Sequence, residues 1–204
     1  MFHIAMLDSN AFCIKGLEEY YSARNIRTIG CTSLVQLEEA LRNHRINVLM
    51  CELSTDEDNL FSCIDYFKAL KRRRPMLQMV IYTHLRDPAL IAYVRKTLPY
   101  CTVLFKNESM VNLALCMIPP GFNYEAKQPE INDDQRDILT PREFYLLRFL
   151  SEGKCHKDIS QKLPLSIKTI SYYKLKIMEK LKCRTVADFQ RKMQSFGVYY
   201  HSQG

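Results

Sequence analysis

The segment SIKTISYYKLKIMEKL, Ser166 to Leu181, carries the side chains whose types and spacing point most directly to a chemistry. At 100° per residue, Ile170, Tyr173, Ile177 and Leu181 fall on one side, as in a helix packed on a core. Lys168, Ser171, Tyr172, Leu175 and Lys176 fall on the other. A basic face that also shows a ring and a Leu is poorly matched to water and well matched to DNA. Lysines reach phosphates or guanine O6 and N7, and a Ser hydroxyl bonds base edges. Tyr and Leu pack on thymine methyls or sugar rings. Residues near the helix N-terminus enter a groove deepest, which favours Lys168, Ser171 and Tyr172 as base readers. Packing of Tyr172 and Leu175 against another domain is the plain alternative. Lys174 projects nearer the core side and is expected to snorkel its amine to the rim.

Other chemistries find little support. The sequence has no Gly-rich phosphate loop, no Ser-His-Asp set and no metal cluster. His3, His44, His84, His156 and His201 have no acid or nucleophile partner by spacing. The eight Cys form no C-x-x-C pair and most lie in apolar runs, so reduced core thiols are expected. Neither a cofactor nor a metal is expected, and the chain is read as a non-enzyme. MFHIAMLDSN has no basic leader or long apolar run, and no segment approaches the ~18 apolar residues of a membrane span. A cytoplasmic location without a membrane partner is therefore expected.

The elements that must position the basic helix follow from periodicity. Apolar runs at 2–7, 26–30, 47–53, 77–83 and 101–105 alternate with helical patterns at 11–23, 34–43, 59–73, 88–97 and 109–118. Five strand–helix repeats imply an α/β domain, a five-stranded doubly wound parallel sheet, over residues 1–118. Residues 119–137 mix Pro, Gly and acids without periodicity and read as a linker. Residues 138–204 then form an all-α domain of four short helices. Thr140, Pro141 and Glu143 give a capping box, and Gly153 a C′ stop. The second helix covers 157–163, Ser166 caps the third and Thr185 the fourth, which ends near 195. Charge follows the same division. Residues 138–204 hold 13 Lys/Arg against 5 Asp/Glu, whereas residues 1–137 hold 16 against 17. The excess that makes the chain +7 lies entirely in the last third, as in a nucleic-acid-binding module joined to a neutral one.

The stretch LTPREFYLLRFLSEGKCHKDISQKLPLSIKTISYYKLKIMEKLKCRTVADF resembles the DNA-binding domain of LuxR/FixJ-type transcription regulators. Its markers are LTPRE, the EG before the turn, the Lys-acid-Ile of the second helix, S-x-K-T-I and I-M-x-K-L. The resemblance places Lys168, Thr169, Ser171, Tyr172, Leu175 and Lys176 on the DNA side of the helix-turn-helix. It sets Lys154 and Lys157 where the second helix approaches phosphates. Ser171 and Leu175 stand where the family often has basic residues, which implies an unusual target sequence. Dimerisation through the fourth helix is implied, with Phe189 and Met193 as candidate contacts. Double-stranded DNA is the implied partner.

Five βα units ahead of such a domain resemble a response-regulator receiver. That family uses two acids after the first strand to help hold Mg²⁺ and an Asp ending the third strand to take a phosphoryl group. A Ser/Thr ends the fourth strand and a Lys the fifth. Here Asp8, Thr83 and Lys106 match, but Ser9 replaces the second acid and Glu52 the phosphoacceptor. Glu52 is one methylene too long for the nucleophile's place. Its carboxylate can instead reach Thr83 and Lys106 and imitate a phospho-Asp. Asp56 and Asp58 lie beyond the strand, and Val103 takes the aromatic switch position. These departures imply a pseudo-receiver without phosphorylation control. Such a chain is expected to act as a homodimer, or as a heterodimer with an RcsB-like response regulator. The competing reading is an interaction module that captures a partner regulator without useful DNA binding.

Overall fold

The computed structural model describes residues 2–115 and 138–198. The predicted linker at 119–137, the end of the helix expected to reach 118, and residues 199–204 lie outside the described residues. Five parallel strands form one sheet in the order β2-β1-β3-β4-β5, where β1 is Phe2–Leu7, β2 Ile26–Cys31, β3 Val48–Cys51, β4 Gln78–Thr83 and β5 Cys101–Phe105. Helices α1 (Ala11–Ser22), α2 (Leu34–Asn43), α3 (Leu60–Arg73), α4 (Pro88–Thr97) and α5 (Met110–Leu115) alternate with them. This is the predicted α/β architecture.

The sheet forms because its strands can be covered on both faces. Every residue of β3 is buried, as its unbroken apolar run requires. On one face Ile4, Met6, Val48, Met50, Val80, Tyr82 and Leu104 pack with Leu17 and Tyr21 of α1 and Leu113 of α5. Asn10 caps α1 by accepting from Cys13 N–H, and Asn59 caps α3 by accepting from Phe61 and Ser62 N–H. Gly30 lets α1 approach β2 closely, since a Cβ there would meet Ile14 Cγ2 at 2.5 Å and force that side chain to shift. β3 stops at Cys51, two residues short of the expected end, although Glu52 N–H still bonds Leu7 O of β1 at 2.9 Å and so holds Glu52 at the strand end.

The C-terminal helices are α6 (Pro141–Ser151), α7 (His156–Lys162), α8 (Ile167–Lys180) and α9 (Val186–Ser195). The Thr140/Glu143 capping box is formed, and Gly153 takes the positive φ of 72° that a C′ glycine supplies. Glu143 does more than cap. Its carboxylate also accepts from Lys180 Nζ at 2.7 Å, and Lys180 donates to Ile138 O, which fastens α8 to the start of α6. The second helix starts one residue earlier than expected because Cys155, not a usual cap, accepts from Asp158 N–H while Asp158 bonds Cys155 N–H. The seven cysteines among the described residues are all unpaired thiols.

Contacts divide the chain into two compact units. The first holds residues to Leu85 and from Thr97; the second holds Arg86–Lys96 with the C-terminal helices. Most of α4, expected in the N-terminal domain, thus groups with the second unit. Within that unit Tyr93 stacks on Phe144 at 4.1 Å between centroids.

Lys182, just after α8, holds a left-handed φ of 55° that a side chain disfavours. Lys182→Gly is expected to raise the stability of the C-terminal domain by roughly 0.5–1 kcal/mol. Thermal melts followed by circular dichroism check this; an unchanged or lower midpoint would contradict it.

Candidate functional sites

The receiver-type site gathers where β1, β3, β4 and β5 end. Parallel pairing aligns Leu7 with Cys51 and Cys51 with Ile81, so the residues at and just beyond the C-terminal ends of these strands meet. Asp8 and Glu52 are each 2% exposed, and Thr83 is fully buried. Lys106 Nζ lies 2.9 Å from Glu52 Oε2 and 2.7 Å from Asp8 Oδ2, bridging the two carboxylates. Glu52 Oε1 accepts from the Thr83 hydroxyl and, at 2.8 Å, from Leu53 N–H. Oε2 also faces His84, accepting from its backbone N–H at 3.1 Å and lying 3.0 Å from ring Nδ1. Asp8 Oδ1 accepts from Asn10 N–H at 2.9 Å.

These contacts decide the charge states. Burial alone would push Glu52 upward, but the hydrogen bond with His84, the Lys106 charge and the Thr83 hydroxyl hold it at about 2. Burial opposes the Lys106 charge, yet Glu52 and Asp8 keep it above its ordinary value. The bond to Glu52 raises His84 against a smaller effect of burial. Glu52 is therefore an ionised, fully engaged carboxylate. An Mg²⁺ site of the receiver kind does not fit here: an ammonium stands between the two carboxylates, and Ser9 offers no second acid. Among the described residues no group of three or more His, Cys, Asp and Glu could hold a metal ion. Asp58, considered as another acceptor, spends its carboxylate on Leu34 N–H at 2.8 Å and Thr55 Oγ1 at 3.1 Å. Asp56 is exposed in the loop, and Val103 is buried at the aromatic switch position.

The expectation that His84 lacks an acid partner is corrected by its contact with Glu52, and its only signal in the sequence is its place directly after Thr83 at a strand end. Glu52 lies 32 residues away, so spacing along the chain cannot reveal the pair.

The second site is the outer face of α8. Ser166 caps it by accepting from Thr169 N–H at 3.1 Å. Ile170 and Ile177 are buried, as is Leu181, the residue just past its end. Lys168, Tyr172, Leu175 and Lys176 emerge together at the i, i+4, i+7 and i+8 positions, with Tyr172 54% and Leu175 67% exposed. Lys176 Nζ sits 5.0 Å from the Tyr172 ring centroid, so the apolar and basic elements form one continuous surface. Lys157 is exposed on α7.

The other expected contacts are engaged inside the domain. Thr169 Oγ1 is 2.8 Å from Ser166 Oγ, Ser171 Oγ is 3.0 Å from His156 Nδ1, and Lys154 folds back on Glu152. Ile167, half exposed at the first position of α8, extends the face. The expected dimer contacts need correction. Phe189 is 2% and Met193 0% exposed, so both are core residues of this unit and present no free surface. Val186 is the exposed large apolar residue of α9. Among the described residues no helix is long and apolar enough to cross a membrane.

A basic, partly apolar helix set on a capped three-helix support defines a DNA-binding helix-turn-helix class, here behind a receiver-like sheet. Residues 137–192 match the family described as bacterial regulatory proteins, luxR family. The chain therefore carries a LuxR-type helix-turn-helix domain behind a receiver-like domain and is homologous to the response regulators EvgA and RcsB. The DNA-binding transcriptional activator EvgA of Escherichia coli K12 is 29% identical over 105 residues, 52% of this chain and 51% of its own. The chain thus spans about half the length of EvgA. The transcriptional regulatory protein RcsB of E. coli K12 is 31% identical over 146 residues, 66% of each chain. In fold, RcsB of Salmonella enterica serovar Typhimurium, solved on the rprA promoter with the phosphomimetic BeF3-, aligns with TM-score 0.61 and 22% identity, covering 95% of this chain and 98% of that one.

Proposed function

We propose that this chain is a sequence-specific double-stranded-DNA-binding transcription regulator whose receiver-like domain is not switched by phosphorylation. The observation that carries it is the outer face of α8, where Lys168, Tyr172, Leu175 and Lys176 stand exposed together in a LuxR-type domain. Lys168 and Tyr172 read base edges near the helix N-terminus, Leu175 packs on a sugar or methyl, and Lys157 and Lys176 hold phosphates. In the proposed assembly Thr169 serves as an internal support, Ser171 keeps its contact with His156 while it meets a base, and Lys154 reaches a phosphate only by leaving Glu152. The site residues work without a cofactor, and the chain is a regulator and not an enzyme.

The regulator acts as a dimer. RcsB, a homologue, has been solved as dimers on DNA, which supports either a homodimer or a heterodimer with an RcsB-like partner. The acids and Lys of the receiver site point to independence from phosphorylation. Glu52 already occupies Lys106 and Thr83, the groups that would otherwise receive a phosphoryl oxygen. Incubation with acetyl phosphate and Mg²⁺ is expected to leave the intact mass unchanged; a phosphate adduct on Asp8, Asp56 or Asp58 would contradict this.

Enrichment from a randomised duplex library tests the DNA reading. The untreated protein is expected to enrich one motif. Recovery of no motif, by the protein alone or with an RcsB-like partner added, would overturn it.

A further inference from the structure

We propose that His156 is a specificity-determining residue, acting through Ser171 to fix which hydrogen bond that hydroxyl offers to a base. The inference rests on the DNA reading given above. His156 is the first residue of α7, held in place by the Cys155/Asp158 capping box. α7 packs on α8, and His156 Nδ1 lies 3.0 Å from Ser171 Oγ, with both residues half-buried. Ser171 immediately precedes the exposed Tyr172 on the recognition helix.

A Ser hydroxyl has one proton and two lone pairs, and alone it discriminates bases poorly because it can serve as donor or acceptor. The ring nitrogen removes that ambiguity. Where Nδ1 is the acceptor, the Ser171 proton is consumed and only lone pairs face the groove. They then accept from the amino groups of adenine N6 or cytosine N4. Where Nδ1 carries a proton, it donates to Oγ and the Ser171 proton is free. It then addresses guanine O6 or N7 or thymine O4. One buried-side contact thus converts an undecided hydroxyl into a reader of one polarity. His156 itself touches no base and is a positioning residue.

The test enriches duplexes from one randomised library with wild type, Ser171→Ala, His156→Leu, His156→Asp and His156→Asn, each checked for folding by circular dichroism. Ser171→Ala is expected to flatten the preference at one motif position by about fivefold, the worth of one hydrogen bond. His156→Leu should flatten that same position and leave the others intact. His156→Asp, which can only accept, should take the Ser171 proton and set that position to adenine or cytosine, matching wild type if Nδ1 accepts there and switching it if Nδ1 donates. His156→Asn, whose amide reaches the same hydroxyl but offers both polarities, should keep the contact without fixing its polarity, so that position should stay flatter than in wild type.

A His156→Leu motif identical to wild type, or one weakened equally at every position, would overturn the proposal. So would a Ser171→Ala motif with no altered position. If the wild type enriches no motif at all, the DNA reading fails instead, and that outcome is distinct from either of these.

Discussion

Replacing Glu52 with Gln is expected to lower the stability of the N-terminal domain by about 3 kcal/mol near neutral pH. The magnitude has two sources. Glu52 falls from its ordinary 4.5 to about 2 in the folded chain, and that displacement corresponds to about 3 kcal/mol of preferential stabilisation of the ionised form. Removing the charge also leaves Lys106 with Asp8 as its one carboxylate partner and takes from His84 the group that raises it. The variant further separates two pH dependences. A carboxylate depressed on folding contributes stability that is full above 4.5 and lost as pH falls through about 2. An imidazole raised on folding contributes stability that is full below its ordinary 6.5 and lost as pH rises through its folded value. The cluster is therefore worth most between about pH 4.5 and 6.5. The difference between wild-type and Glu52→Gln stability should peak there and shrink on both sides. The chain has no Trp, so urea unfolding is followed by far-ultraviolet circular dichroism. A difference that is small and flat with pH would show that Glu52 is not the hub of the cluster.

Truncation on the outer face of α8 should produce the second large effect. Lys168→Ala and Tyr172→Ala are each expected to cost ~1–3 kcal/mol of binding to the enriched duplex. The two differ in kind. Lys168 is a charged base reader, so its loss should relax preference at a guanine position, whereas Lys176→Ala, which removes a phosphate contact, should reduce the slope of log affinity against log salt by about one. Tyr172 is neutral, so Tyr172→Ala should leave the salt slope unchanged and relax preference at one or two base positions. Both side chains are exposed, so neither change should disturb folding. Affinity equal to wild type in both variants would remove this face from the DNA contact.

Much of the architecture is legible in the sequence because it is local. Caps at Thr140, Ser166 and Thr185 and the stop at Gly153 are each set by local chemistry, and all are found in place. The unbroken apolar run of β3 likewise shows a strand covered on both faces. The less legible parts depend on contacts between distant segments. Phe189 and Met193 are four residues apart on α9, and that spacing fits a dimer seam as well as the domain's own core. Periodicity says that a face is covered without saying by what. The partnership of His84 with Glu52 and of His156 with Ser171 spans 32 and 15 residues and appears only once strands and helices are assembled. Cys155 carries no usual cap signature in the sequence, although Asp158 three residues on completes the box. On α8 the outward direction was readable at 100° per residue. That Thr169 and Ser171 turn to Ser166 and His156 depends on rotamers that the pattern does not encode.

The central claim is that the chain binds a specific DNA sequence with its receiver-like domain unphosphorylated. Fluorescence anisotropy measures this directly, using the enriched duplex and a scrambled one across a salt series, with and without acetyl phosphate and Mg²⁺. Preference for the enriched duplex at every salt concentration, unchanged by the phosphodonor, is the expected result, with affinity for both falling steeply as salt rises. Equal affinity for the two duplexes, or a preference that emerges only with the phosphodonor, would contradict it.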